Sequence, residues 1–352
     1  MSPLPTRDKA PRPLPLTLLS AAVLLLLTAC GQEIAGRLHV TPGSHYSVSG
    51  SDGSLCDDAE RPVEGDEATL VGAYFSLAVD CVGEVESLAE AGIDETALPI
   101  PEGTSVSFLR FGDPGGAQPL YPGTPPTGLT ATVTIGPKSW TEENAGPEPG
   151  DLYAWVGSGE PEMRVEVNDN GHVFAIDPRS GEREGVIEAL YHGKLTSKQS
   201  ERVPIDAEFY ASDSSYEYTG AVTVFYSAAV ERQVFRVEEG WLADDGKALL
   251  TVGFSWFESD EEWELVWSAG DEPDFTVEHD GEKIEPVSVE AEKATEQGST
   301  FRDYEITYEV PPSALEFDFA FTPPQSAKWE AQGVTMSLTK GKDPVKFSLD
   351  FS

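Results

Sequence analysis

The chain has 352 residues, of which 62 are acidic and 23 are basic, and its formal net charge is −39 at pH 7. Such a surface repels phosphate, so it excludes nucleic acid and anionic lipid headgroups as electrostatic partners. An apolar fraction of 39% excludes a disordered acidic tail, and the length suits about two domains.

The first element in the chain is a basic start followed by a short apolar run. Arg7, Lys9 and Arg12 precede residues 16–27 (LTLLSAAVLLLL), which carry no charge. This order is typical of a secretory signal peptide. A membrane span needs about 20 apolar residues, so the run is too short to be one. We therefore predict a signal peptide over residues 1–29.

Cys30 stands directly after this run, in the sequence Leu-Thr-Ala-Cys-Gly. A leucine, two small residues and a cysteine in this order resemble the lipobox of bacterial lipoproteins. The resemblance covers the processing signal only. It implies cleavage before Cys30 and a diacylglyceryl group on its thiol. Two acyl chains would anchor a soluble domain stably, since each buried CH₂ contributes about 0.8 kcal/mol. The implied location is the extracytoplasmic face of the cell membrane.

Residues 30–67 hold this cysteine and a segment rich in Gly, Ser and acid, which is typical of a tether. Alternatively, GRLHV at 36–40 adds an edge strand to the first domain. The other two cysteines, Cys56 and Cys81, form an even pair on the oxidising side of the membrane. They predict a disulfide that contributes a few kcal/mol. A redox role would require CxxC spacing, which the sequence lacks.

Four segment pairs in the same order indicate an internal duplication. In chain order, YFSLAVD from Tyr74 matches FYSAAVE from Phe225, TIGPKSW ending at Trp140 matches TVGFSW ending at Trp256, WVGSGEPEMRVE from Trp155 matches WSAGDEPDFTVE from Trp267, and VPIDAEF from Val203 resembles VPPSALEF from Val310. The matches predict a first domain over residues 68–212, with an insertion at 81–129, and a second domain over 213–352. Within the insertion, GEVESLAEAG predicts a short helix and FGDPGGAQPLYPGTPPTG predicts a long surface loop.

Each copy shows short strands separated by turns. Apolar residues alternate along LLTVGFSW and along WELVWSAG, which predicts a β-hairpin between Trp256 and Trp267. Many short strands with almost no helical periodicity favour antiparallel sandwiches. The V-P-x-x-A turn before a strand resembles Ig-like domains of bacterial surface lipoproteins. We therefore predict an all-β chain, with two tandem Ig-like antiparallel β-sandwich domains after a lipoprotein signal peptide.

Two acidic turns are candidate cation sites. The first, EVNDNGHVFAID, spaces oxygen ligands almost as a calcium loop does, but it lacks the opening Asp, the closing Glu and the flanking helices of an EF-hand. The second is FESDEEWE, residues 257–264. A solvated hairpin turn is the competing interpretation of both. The candidate ligands are Glu166, Asn168, Asn170 and Asp177 in the first turn and Asp260 and Glu261 in the second.

The tryptophans raise the question of sugar binding. Those that recur in both copies are predicted to fill the core, whereas Trp241, Trp263 and Trp329 lack a counterpart and are the candidate binding residues. Catalytic signatures such as GxSxG, HExxH, the P-loop and GxGxxG are absent, so we predict no catalytic residue and no cofactor.

Three functions are consistent with these patterns. The first is a non-catalytic envelope lipoprotein, with its lipid anchor in the membrane, that binds another envelope protein or a wall polymer. The long loop at 111–129 is then the first place to expect recognition. The second is a cation- or small-ligand-binding accessory lipoprotein of a transporter. The third is a secreted hydrolase built on strand-borne carboxylates, which leave no local signature.

Overall fold

Antiparallel strands make up nearly all of the regular secondary structure, so the all-β prediction is confirmed. The computed structural model describes residues 40–51, 53–57, 59, 68–93, 99–123, 128–195, 197–212, 216–242, 246–260, 265–296 and 298–352. The predicted signal peptide and Cys30 lie outside these residues. The helices in the described part are short 3₁₀ turns at Gly53–Cys56, Glu188–Tyr191 and Glu330–Gln332.

Two five-stranded sheets form the first half of the chain. Sheet A has the order β1-β7-β4-β3-β2, and sheet B has the order β10-β9-β8-β5-β6. Their inner faces share one apolar core, in which the rings of Phe75 and Phe174 lie 5.3 Å apart. The strands are β1 His45–Val48, β2 Thr69–Val71, β3 Ser76–Val85, β4 Ser105–Gly112, β5 Leu129–Ile135, β6 Lys138–Glu143, β7 Leu152–Gly157, β8 Met163–Asp169, β9 His172–Ile176 and β10 Arg183–Glu184.

An eight-stranded and a four-stranded sheet form the second half. Sheet C has the order β16-β22-β23-β11-β12-β15-β20-β19, and sheet D has the order β18-β17-β21-β24. Aromatic rings fill the space between them, with Tyr226 stacked on Phe321 at 5.0 Å. The strands are β11 Ser197–Ser212, β12 Glu217–Gln233, β13 Phe235–Arg236, β14 Gly240–Trp241, β15 Ala248–Asp260, β16 Leu265–Val266, β17 Phe275–His279, β18 Glu282–Ile284, β19 Ser288–Glu296, β20 Ser299–Val310, β21 Glu316–Phe321, β22 Ser326–Trp329, β23 Val334–Lys340 and β24 Val345–Asp350.

The chain passes from one set of paired strands to another between Glu184 and Ser197. The described strands before this point pair among themselves, and those after it do the same. The predicted boundary between residues 212 and 213 falls instead between β11 and β12, which pair along their whole length. The segment VPIDAEF therefore lies on a strand of sheet C.

The matched sequence segments are only partly equivalent in the structure. YFSLAVD and FYSAAVE lie on strands of sheets A and C, and the segments from Trp155 and Trp267 both pass from one sheet to the facing one. TIGPKSW, however, turns at Gly136, where φ is +57°, and forms the β5–β6 hairpin. TVGFSW runs on without a turn inside β15, because Phe254 stands where the first copy has Pro137.

Two local predictions are wrong. Within the described residues, β15 and β16 form no strand ladder with each other, since β15 pairs with β12 and β20 whereas β16 pairs with β22. A single backbone bond links the two segments, from the N–H of Trp267 to the carbonyl of Glu258 at 2.7 Å. The neighbours β12 and β20 offer much longer pairing than the two-residue β16 does. The predicted helix at 83–92 is a single turn, because β3 continues to Val85 and Gly92 ends the turn at φ +67°.

The segment before the first domain packs on the outer face of sheet A. β1 pairs with β7 as an edge strand, so the strand lies at 45–48, a few residues beyond the GRLHV segment. Cys56 forms a disulfide with Cys81 of β3, with 5.6 Å between the Cα atoms. Both sulfurs lie in a second apolar cluster on this outer face, together with Val40 and Phe108. The predicted disulfide is confirmed, and residues 40–51 and 53–57 pack with the first pair of sheets.

We expect removal of the disulfide to lower the free energy of unfolding by about 3 kcal/mol, the loop-closure effect for a loop of this length. The two cysteines are 25 residues apart in sequence. Urea denaturation of the Cys56→Ala/Cys81→Ala variant measures the change, with the reduced parent chain as control. If the reduced parent proved as stable as the oxidised chain, the outer apolar cluster alone would hold this segment.

Candidate recognition site

A cleft of about 460 Å³ opens beside the start of β3. One wall is the loop at 113–119, which belongs to the predicted insertion. The other wall is the loop at 144–148, which follows β6. Tyr74, Phe75, Ser76 and Leu77 line the space between them. The structure thus brings the long loop singled out by sequence together with a second loop.

The wall at 113–119 is held by short-range turns and by bonds to sheet A. The carboxylate of Asp113 accepts the backbone N–H of Gly115 at 2.8 Å, which closes a tight turn. The Ser76 hydroxyl donates to the carbonyl of Ala117 at 2.8 Å. Just beyond this wall, the N–H of Tyr121 donates to the carbonyl of Ala73 at 2.8 Å. Because it is fastened at both ends, this wall keeps its shape without a ligand.

The opposite wall is fastened in the same way. The N–H of Asn144, a residue with φ of +60°, donates to the carbonyl of Leu129 at 2.8 Å. At the far end, the N–H of Gly150 donates to the carbonyl of Phe111 at 2.8 Å. The carboxylate of Asp151 accepts the N–H of Glu148, also at 2.8 Å. Asparagine tolerates the left-handed backbone region better than most residues, which explains its presence at this corner.

The lining of the cleft combines apolar side chains with exposed hydrogen-bonding groups. Gln118 and Asn144 present exposed carboxamides from opposite walls, and Asp113 and Glu148 present exposed carboxylates. Prolines at 114, 119 and 147 stiffen the loops, because each has a fixed φ. The arrangement suits recognition of hydroxyl and amide groups.

Aromatic rings behind the cleft join the two halves of the chain. The ring of Tyr74 lies 5.7 Å from that of Tyr121 and 5.6 Å from that of Phe235. Phe235 in turn packs 5.0 Å from Trp241, whose indole N–H donates to the carbonyl of Asp169 at 2.8 Å. Trp241, a predicted binding residue, is therefore half-buried at this junction and away from the cleft lining.

Asp169 is a buried carboxylate in this junction that sequence reasoning missed. Its Oδ2 accepts the backbone N–H groups of Ala73 at 2.8 Å and Tyr74 at 3.2 Å. Burial raises the pKa of Asp169 in spite of these bonds, which favour the charged form. The residue lies inside the EVNDNG motif, between the two asparagines selected as ligands.

The predicted cation ligands at 166–177 occupy a hairpin whose oxygens are engaged locally. Asn170 and Gly171 have φ of +51° and +86°, as a type I′ turn requires, and join β8 to β9. The side chain of Asn168 accepts the N–H of Gly171 at 2.9 Å, and Glu166 pairs with an arginine of its own strand at 3.5 Å. Asp177 accepts the N–H of Arg179 at 2.8 Å.

The other acidic turn is described only in part. Asp260 is the last residue of β15, and Glu261 lies outside the described residues. Within the described part of the chain, three potential ligand atoms come close together only at Cys56, Asp80 and Cys81. Two of these residues form the disulfide, so this group is a covalent crosslink beside a carboxylate.

The remaining tryptophans divide into core and surface residues. Trp256 and Trp267 are fully buried, whereas Trp140 and Trp155 are half-buried. Trp329 is half-buried at the end of β22, with its ring 5.8 Å from that of Tyr218. Trp263 lies outside the described residues.

Two charged side chains are buried in the second half. Arg232 donates to the carbonyls of His192, at 3.0 Å, and Pro312, and desolvation lowers its pKa to about 10. Glu258 accepts hydrogen bonds from Ser268 and, at 2.8 Å, from Nε of Arg302. Burial by itself would raise the pKa of Glu258, but these bonds outweigh it and hold the pKa below its ordinary value.

The described residues contain no helix of the length and apolarity that a membrane crossing requires. No protein-family model matches the chain, and no curated protein sequence matches it. Among solved structures, the chain is similar to the crystal structure of the conserved domain protein from Bacillus anthracis, with 10% identity and a TM-score of 0.19. That likeness covers 86% of this chain and 96% of the other, and at this score it carries no conclusion about fold or function.

Proposed function

We propose that the chain is a non-catalytic envelope lipoprotein, anchored through Cys30 at the extracytoplasmic face of the cell membrane, that binds a second envelope macromolecule. The cleft between the loops at 113–119 and 144–148 is the observation that carries this proposal. The proposal includes two Ig-like domains related by duplication, one for each pair of facing sheets. Loops at the ends of such sandwiches commonly carry recognition, which is support by fold analogy.

The construction of the cleft supports binding. The wall at 113–119 is bonded to sheet A and the wall at 144–148 to sheets B and A, so little conformational entropy is lost when a ligand enters. The volume of about 460 Å³ lies within the range of ligand-sized pockets.

The lining favours a wall polymer over a protein partner. Carboxamides at 118 and 144 both donate and accept hydrogen bonds, and carboxylates at 113 and 148 accept them from hydroxyl and amide N–H groups. The net charge of −39 disfavours phosphate-rich polymers. A wall polymer rich in hydroxyl and amide groups and poor in phosphate therefore fits the cleft best.

We expect the Gln118→Ala/Asn144→Gly variant, in which glycine keeps the positive φ at residue 144, to bind purified wall material about tenfold more weakly than the parent chain. Each lost hydrogen bond contributes about 0.5–1.5 kcal/mol. Cosedimentation of the full-length protein with wall preparations measures the affinity. Gln332→Ala, which removes an exposed carboxamide from the second half, is the matched control and should leave binding unchanged.

Two outcomes would contradict this proposal. One is a parent chain that does not sediment with wall material at all. The other is equal binding by the double variant. A photo-crosslinker placed at residue 118 in intact cells then identifies the second possibility, a protein partner joined through the same loop.

A further inference from the structure

β19 is the last strand of sheet C, and its side chains are exposed or half-buried on both faces. Its single strand neighbour within the described residues is β20, which it meets from Ser288 to Glu296. An end strand presents backbone N–H and C=O groups along its free side, and these groups can pair with an added strand. At nine residues, β19 is the longest end strand described in any of the four main sheets.

Sheet C extends beyond the cover that sheet D provides. On β20, Tyr304 and Ile306 are buried between the two sheets, whereas their partners on β19, Ala291 and Val289, are exposed. The inward-facing side of β19 is thus not covered by sheet D, and we call this uncovered side the ledge. Val287 and Val289 are 56% and 38% exposed there, among the most exposed large apolar residues described.

A groove of about 630 Å³ runs beside this ledge. Its apolar surface includes Pro273, Phe275 and Pro286 next to the two valines. Acidic groups line it as well, at Asp271, Glu272, Asp274 and Glu285, against one base, Lys283. β19 itself carries Glu290, Glu292 and Glu296 against Lys293. The groove and the strand are therefore acidic on both sides of an apolar strip.

We propose that the free edge of β19 binds an extended, basic segment of another protein. The segment pairs with β19 as an additional strand, places an apolar side chain over Val287 and Val289, and sets lysines or arginines among the carboxylates. Strand addition of this kind takes affinity from backbone bonds and specificity from alternate side chains. A second copy of this chain does not fit, because two surfaces of like charge repel. The site is separate from the cleft, so the inference goes beyond the function proposed above.

The test uses the full-length chain and a fluorescent peptide of alternating lysine and valine, with anisotropy as the readout. We expect micromolar binding that weakens as salt is raised, and gained amide protection across residues 288–296 in hydrogen exchange. A peptide with four lysines followed by four valines is the composition control and should bind at least tenfold more weakly. The Gln118→Ala/Asn144→Gly variant should bind the alternating peptide as the parent does, which separates this site from the cleft.

Two variants test the named residues. Val287→Ser/Val289→Ser should weaken binding at least fivefold, and Glu290→Gln/Glu292→Gln/Glu296→Gln should weaken it and reduce its salt dependence. Both change exposed side chains, so folding should be preserved. The matched control is Glu278→Gln/Asp280→Asn/Glu316→Gln, which neutralises three exposed acids at a different pocket. Equal binding of both peptides, equal loss in the control, or protection that spares residues 288–296 would overturn the proposal.

Discussion

Replacing Trp267 with alanine is expected to lower the free energy of unfolding by about 3–5 kcal/mol, the usual effect of truncating a buried aromatic side chain. The indole is 2% exposed, and its ring lies 4.7 Å from Trp256 and 5.0 Å from Phe209. Its N–H also donates to the carbonyl of Pro324 at 2.7 Å. The substitution therefore leaves a cavity and removes a buried hydrogen bond. Urea denaturation followed by circular dichroism gives the change.

Trp140→Ala is the matched control for this prediction. Trp140 is half-buried on the edge strand β6, with edge-on contacts to Tyr153 at 5.4 Å and His45 at 5.8 Å. We expect its replacement to lower the free energy of unfolding by less than half as much as that of Trp267, because its site is open to solvent and no closed cavity remains. Equal losses in the two variants would contradict the assignment of Trp267 to the central core.

The second large effect is expected at Glu258. Glu258→Gln should lower the free energy of unfolding at pH 7 by about 2 kcal/mol, because it removes the charge that accepts hydrogen bonds from the half-buried Arg302, whose remaining ion partner is the exposed Asp271. Glu258 is 1% exposed, with Arg302 Nε at 2.8 Å and Lys293 Nζ at 3.7 Å. The amide retains the volume of the side chain, so the change reports charge and hydrogen bonding rather than packing.

The stabilisation should depend on pH in a definite direction. The pKa of Glu258 in the folded chain lies below its ordinary value of 4.5. Its contribution is therefore complete above pH 4.5 and is lost as pH falls through the lower folded-state value. Unfolding free energies of the parent and the variant, measured from pH 7 downward, should converge in acid. Parallel curves would contradict this origin of the effect.

Glu309→Gln provides the control for charge removal. Glu309 pairs with Lys247 at 3.3 Å, and both side chains are about half exposed. A surface pair of this kind contributes about 0–1 kcal/mol. A loss at Glu309 as large as that at Glu258 would indicate a general effect of net charge rather than a buried pair.

Local features of the fold were predictable because their causes are local. Alternation along Leu250, Val252, Phe254 and Trp256 indicates one buried face, and all four side chains are buried. The Asp280-Gly281 pair predicts a hairpin turn, and both residues have positive φ between β17 and β18. The disulfide follows from the count of cysteines and the predicted compartment.

Strand neighbours were not predictable, because alternation specifies a face and not a partner. β15 and β16 have the pattern of a hairpin, yet β15 pairs with β12 and β20, and Leu265 of β16 faces Trp329 of β22. The buried acids were missed for a different reason. With 62 acidic residues, nothing in the sequence distinguishes Asp169 or Glu258 from those at the surface.

The aromatic junction also has a thermodynamic consequence. Tyr74 lines the cleft with one part of its surface and packs against Phe235 of the second half with another. A ligand that orders Tyr74 therefore strengthens the contact between the halves, and by linkage a firmer junction raises the affinity of the cleft. The melting temperature of the whole chain should then rise with the concentration of the ligand that occupies the cleft.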